Sequence, residues 1–252
     1  MTRDHQSLLA EHTPHAIARR LAAATEHNYL RDFVLGAVDG TVTTFAVVAG
    51  VAGADLSGGV AIVMGMANLV ADGFSMAVSN YLGTKSERQA VEHVRRIEES
   101  HIDAVPHGER EEIRQIYASK GFEGELLDHI VDVITNDRQQ WVDTMVTEEF
   151  GLRIENPQPL RAGIYTFTAF VLAGFVPLVP FFLGLWLHWD GHVVLRTSCI
   201  ATGVTFFLIG LAKGLVVRRS LWLSGLETFV IGTLAAGMAY AAGVLFAGMA
   251  GM

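Results

Sequence analysis

Asn68, Asp72, Met76 and Asn80 recur at every fourth position of the apolar stretch MANLVADGFSMAVSNYLGTKSE. Each four-residue step overshoots a helical turn by about 40°, so in a helix these side chains form a slanted row down one side. Carboxylate and amide oxygens suit hard divalent cations and a thioether adds a soft ligand, so the row reads as the border of a route for a divalent transition metal such as Fe²⁺ or Mn²⁺. Upstream, RDFVLGAVDGTVTTFAVVAG carries Asp32 and Asp39 seven residues apart, on one helical face. Asp32 falls at the water boundary and Asp39 two turns deeper. An ionisable group at depth in lipid costs roughly 2.5–3.5 kcal/mol and ordinarily faces a protein interior, a watery cavity or a partner. The structural alternatives are plain packing for Met76, and for Asp39 a hydrogen bond to Thr43 or an ion pair with Lys213.

A second constellation lies downstream. Glu98 and His101 are spaced i,i+3, as are Glu109 and Glu112, while Met145 and Glu149 are spaced i,i+4. Each pair shares a helical face, so three helices can converge their faces on a metal cluster. Acidic helical faces are commonly just solvated, and it is the coincidence of three pairs in one segment that favours metal. His93, His107, His129, Asp128 and Asp132 are weaker candidates. His5, His12, His15 and His27, scattered through the first 30 residues, read as solvated.

The elements that position these groups follow from composition. The 252 residues are 51% hydrophobic and 17% charged, with a mean hydropathy of +0.36. Soluble domains average about 25% charged residues, so the balance is that of a membrane protein. Five stretches, roughly 33–55, 58–82, 160–187, 194–217 and 222–250, supply the ~20 apolar residues a spanning helix needs. The predicted fold is therefore an all-α integral membrane protein of five transmembrane helices, with a helical metal-binding insert between the second and third. Its divisions are an amphipathic N-terminal segment (1–30), helices 1 and 2 (31–85), the insert (86–157) and helices 3 to 5 (158–252). With the N-terminus inside, the inner loops hold 16 of the 18 Lys and Arg and the outer loops only Arg196. That asymmetry predicts a cytoplasmic N-terminus and insert, and an outer C-terminus.

Charge is equally uneven. Residues 86–155 carry 17 acids against 8 bases, whereas the rest of the chain carries 9 against 10. An acidic insert excludes nucleic acid as a partner and favours cations. Cys199, the single cysteine, rules out an internal disulfide and reads as a small packing residue. The N-terminus lacks the apolar core of a secretory signal. Within the insert, SERQAVEHVRRIEESHI continues the second span and ends before Pro106. HGEREEIRQIYASKG is closed by Gly121, GELLDHIVDVIT follows, and DRQQWVDTMVTEEFG starts with Asp137 as its N-cap. Trp141, Ile113, Ile116, Leu126, Leu127, Ile130 and Ile134 supply a small core. In the spans, Gly36-x3-Gly40, Gly232-x3-Ala236 and Ala239-x3-Gly243 predict close helix packing.

At these motifs the chain resembles the vacuolar iron transporter family. RDFVLGAVDGTVTTFAVVAG is similar to the family's opening helix, and SMAVSNYLGTKSE to the end of its second. PLRAGIYTFTAFVLAGFVPLVPFFL, LAKGLVV and ETFVIGTLAAGMAYAAG resemble the third, fourth and fifth. The resemblance implies a homodimer with its metal path between the subunits' membrane helices, and proton-coupled export of Fe²⁺ with tolerance of other divalent metals (Mn²⁺, Co²⁺, Zn²⁺). It places Asp39 and Met76 in the path and Asp32 at its cytoplasmic side. It places Glu98, Glu109, Glu112, Met145 and Glu149 in the cytoplasmic metal-binding domain. Two departures stand out: Asn68 replaces a glutamate, with Asp72 supplying a carboxylate one turn later, and His101 replaces another glutamate of the insert.

The function expected is export of Fe²⁺ from the cytoplasm by proton antiport across a bacterial plasma membrane, without a prosthetic group and without enzymatic activity. The rivals are a manganese exporter of the same architecture and a non-transporting metal sensor or storage protein. A di-metal oxidase is disfavoured because no Glu-x-x-His pair is repeated on two helices.

Overall fold

The computed structural model describes residues 9–23, 28–155, 157–217 and 219–250; Arg3, His5, His27 and Arg218 lie outside them. Among the described residues every regular element is helical. They are α1 (Pro14–Ala23), α2 (Tyr29–Gly53), α3 (Gly58–Ala104), α4 (Pro106–Ser119), α5 (Gly124–Asn136) and α6 (Arg138–Glu148). After these come α7 (Pro159–Phe175), a 3₁₀ turn (Val176–Leu178), α8 (Val179–Leu187), α9 (Gly191–Val217) and α10 (Leu221–Ala250). Among the described residues five helical stretches are long and apolar enough to cross a membrane: α2, α3, the α7–α8 run, α9 and α10. The chain is an all-α integral membrane protein. It divides into a membrane unit, residues 28–83 and 158–252, and a second unit, residues 1–27 and 84–157. Helix α3 contributes its first half to one unit and its second half to the other.

In the membrane unit α2 packs against α7, α9 and α10. Hydrophobic transfer into lipid cannot distinguish one apolar helix from another, so close backbone approach decides the neighbours. A Cβ added to Gly36 would fall 2.3 Å from the Thr166 carbonyl oxygen, and one added to Gly40 would fall 2.3 Å from that of Phe170. The first glycine pair therefore seats α2 on α7 of its own chain. Buried Val48, Val51, Ala61, Leu69, Phe170, Leu178, Phe181 and Val194 form the apolar core beside this crossing. The third span is broken where Pro177 and Pro180 remove two backbone donors, giving the 3₁₀ turn. The buried Ser198 hydroxyl on α9 donates to the Pro177 carbonyl at 2.7 Å, satisfying an acceptor that lipid could not.

The insert is held by a separate core of Ile102, Ile113, Leu127, Val131, Ile134, Trp141, Val142, Met145 and Val146. Ile116 and Ile130 pack against it from its margin. Leu126, expected in this core, is 57% exposed, because α5 turns Leu127, Val131 and Ile134 inward and Leu126 lies about 100° round the helix. Asp137 caps α6, accepting from the Gln139 and Gln140 amides at 2.9 and 3.2 Å. Gly121 follows α4 at φ +92°, a left-handed conformation that glycine adopts without strain. Arg138 clamps the start of α6 to the end of α3 with bonds of 2.6 and 2.9 Å to the Asp103 carboxylate. That guanidinium holds the Asp103 carboxyl below its usual range.

Candidate metal centre

Pro106 stops α3 and opens α4, so the first turn of α4 returns beside the last turns of α3. This brings Glu98, His101 and Glu109 together, with ligand-capable atoms all within 4.8 Å of one another. His101 Nδ1 lies 3.3 Å from Glu109 Oε1 and 3.8 Å from Glu98 Oε1. The two glutamates are 1% and 3% exposed, whereas the imidazole reaches solvent. One oxygen of each carboxylate, Oε2, is buried without a hydrogen-bond partner.

Burial, followed by the charges of Glu109, Glu149 and Glu112, pushes the Glu98 carboxyl up to about 7. Glu109 is raised mainly by its own burial and then by Glu112, with the Glu98 hydrogen bond and His101 opposing. Glu149 is raised by burial and then by Glu112 and Glu109. Glu112 and Glu149 are thus close enough to act on the buried pair from the exposed rim of the cluster. Buried carboxylates with orphaned oxygens and mutual repulsion are stabilised either by protons or by a cation. A divalent metal fits this donor set, which offers several oxygens and one imidazole. The thioether of Met145 is wholly buried in the insert core, four residues before Glu149. Asp128 and Asp132 are engaged elsewhere, by Arg114 and Arg110.

The membrane row divides by role. Asn80 donates to Asp32 Oδ1 at 3.1 Å, to Thr166 Oγ1 at 2.7 Å and to the Ala162 carbonyl at 3.3 Å, tying α3 to α2 and α7. Asp32 is 5% exposed there. Asn68 donates to Thr43 Oγ1 at 3.2 Å, and Thr43 donates to the Asp39 backbone carbonyl at 2.9 Å. Lys213 pairs with Glu227 at 3.2 Å. Neither structural alternative therefore claims the Asp39 carboxylate. It is partly buried and within range of the charge of Asp72, itself exposed on α3. Met76 is partly buried against the apolar core.

Thr166 and Glu227 were not singled out in the sequence. A lone threonine in YTFTAF gives no signal, because its hydroxyl can bond within its own helix, as it does to Ala162 at 2.9 Å. Glu227 was legible, as the one acid of the fifth span.

The VIT family model matches residues 30–244. Among curated proteins, the chain is 33% identical over 240 residues to Vacuolar iron transporter 1 of Arabidopsis thaliana, covering 94% of this chain and 91% of that protein. It is 32% identical over 227 residues to the vacuolar iron transporter of Toxoplasma gondii, covering 88% of this chain and 75% of that one. Vacuolar iron transporter 1 of Eucalyptus grandis is 32% identical over 241 residues, 94% of this chain and 91% of its own length.

Proposed function

The chain belongs to the VIT family, and from that premise we propose that it exports Fe²⁺ from the cytoplasm by exchange with protons. It is a membrane transporter, not an enzyme. The observation that carries the reading is the buried Glu98–Glu109 pair, with an orphaned oxygen on each and His101 at its mouth. The insert's carboxylates and the His101 imidazole collect the cation on the cytoplasmic side. In the membrane unit Asp39 and Asp72 hold it by charge, with Met76 beside them as the soft donor and Asp32, Asn68 and Asn80 framing the route. A proton arriving at either aspartate removes the charge that retains the metal and favours its release on the far side. The excess of basic residues in the inner loops supports a cytoplasmic N-terminus and insert. Asp72 is open on the outer face of its own chain, which supports completion of the path by a second subunit.

Fe²⁺ is preferred because the donor set combines oxygens with an imidazole, and the relatives bear the name of iron transporters. Manganese is the second reading, favoured by the burial of the Met145 sulfur, which leaves a nearly all-oxygen set in the insert. Metal flux into proteoliposomes, with and without a pH gradient, tests the proposal. Wild-type flux of Fe²⁺ should depend on the gradient and Asp39→Ala should abolish it. Gradient-independent flux or an active Asp39→Ala protein would overturn it, and faster Mn²⁺ than Fe²⁺ flux would select the second reading.

A further inference from the structure

A groove of about 330 Å³ opens on the membrane unit where α2, α9 and α10 meet. Its walls are aliphatic, with four side chains from α2 (Val34, Leu35, Val38 and Val42), two valines from α9 and Ile231 from α10, except for Thr228, whose hydroxyl donates to the Ser224 carbonyl of its own helix at 3.0 Å. Two cations, Arg31 and Lys213, stand in the same lining. Arg31 lies in the first turn of α2 and Lys213 in the last turns of α9. These helices run in opposite directions through the bundle, so both cations fall toward the same end of it.

From this geometry we infer that the groove binds an anionic glycerophospholipid, with its phosphate between Arg31 and Lys213 and one acyl chain along the valine wall. The charges match. Among the described residues the Arg31 guanidinium has no ion-pair partner and offers five donors. Lys213 gives one of its three N–H bonds to Glu227, at 3.2 Å, and keeps two. The dimensions match as well. From Arg31 to Val42 is eleven residues of helix, about 16 Å, close to half of a ~30 Å hydrocarbon core and so to one leaflet. A basic mouth above an apolar slot between membrane helices is an arrangement suited to an acidic headgroup. A soluble anion would satisfy the mouth but leave the slot against hydrocarbon without a specific occupant. The site is separate from the metal-handling groups, since none of Asp39, Asp72 or Met76 lines it.

The test is lipid retention on the full chain, purified in mild detergent with equal amounts of phosphatidylglycerol and phosphatidylcholine and weighed by native mass spectrometry. Wild type should retain phosphatidylglycerol in clear excess. Arg31→Gln should reduce that excess roughly fivefold, the weight of one basic group beside an anionic lipid. Val38→Trp, which fills the slot and leaves both charges, should reduce retention while inorganic phosphate fails to compete. Equal retention of the two lipids by wild type overturns the inference, and that measurement needs no variant to fold. Displacement of the lipid by inorganic phosphate would reduce the site to a simple anion site. Disulfide trapping of Leu35→Cys between two copies, in membranes, would assign the groove to a second subunit and overturn it as well.

Discussion

Glu98 and Glu109 sit on successive helices with their carboxylates buried together, and the His101 imidazole Nδ1 lies 3.8 Å from one and 3.3 Å from the other. The core cluster of the insert is made of apolar side chains, which supply no counter-charge, so the stability of the pair depends on what occupies the pocket they form.

Glu98→Gln should act with opposite signs on stability and on binding. Removing a buried charge raises the unfolding midpoint of the metal-free protein above pH 7, by a few degrees for each kcal/mol recovered. The same change removes an anionic ligand and should weaken Fe²⁺ or Mn²⁺ binding at least about tenfold. Thermal unfolding in detergent, with and without metal, reads both. A variant destabilised without metal yet binding normally would contradict the assignment.

The pH dependence follows from the raised carboxyls. The Glu98 carboxyl is moved from 4.5 to about 7 in the folded chain, so the folded state holds the proton more tightly than the unfolded one. That contribution is fully present below pH 4.5 and is lost as pH rises through 7. The loss is on the order of 2 kcal/mol once solvent at the His101 side is allowed for. Without metal, stability should therefore fall between pH 5 and pH 7.5, and saturating metal should remove the fall. Metal binding should also release protons across that range, measurable by calorimetry in buffers of different ionisation enthalpy.

Asn80→Leu should loosen the junction of α2, α3 and α7. It deletes the amide donor shared by Asp32, Thr166 and the Ala162 carbonyl, removing the bonds that tie three helices at a buried junction, at about 1–3 kcal/mol. Asn80→Asp should be worse, because it sets a second carboxylate against Asp32. Unfolding midpoints in detergent give the order wild type, Leu, Asp; an Asp variant as stable as wild type would show that the amide is not a strut.

Gly40→Ala should separate α2 from α7. Its methyl would lie 2.3 Å from the Phe170 carbonyl oxygen, which belongs to a helix backbone and cannot rotate away. Overpacking of this kind costs roughly 1–3 kcal/mol. Gly237→Ala, where nothing lies within 4 Å, should be neutral or slightly stabilising. Monodisperse yield after extraction and the melting midpoint separate the two.

The five spans, the insert and its helix ends were legible in the sequence. Each rests on a local rule: a run of apolar residues long enough for the bilayer, a proline that stops α3, an aspartate that caps α6. The acidic pairs were legible too, because helical spacing alone places Glu98 with His101 and Glu109 with Glu112. What the sequence determined about the fourfold row was its shared face. Tertiary structure decided the roles along it, giving Asn68 and Asn80 to interhelical hydrogen bonds with Thr43 and Thr166 and setting Asp72 within reach of Asp39. It likewise turned Leu126 outward, drew Met145 into the core and joined Lys213 to Glu227. The reason is that periodicity fixes a side chain's direction from its own helix axis, while its partner depends on how helices distant in sequence pack. That packing is set by close contacts such as Gly36 and Gly40 on α7, which no single segment encodes.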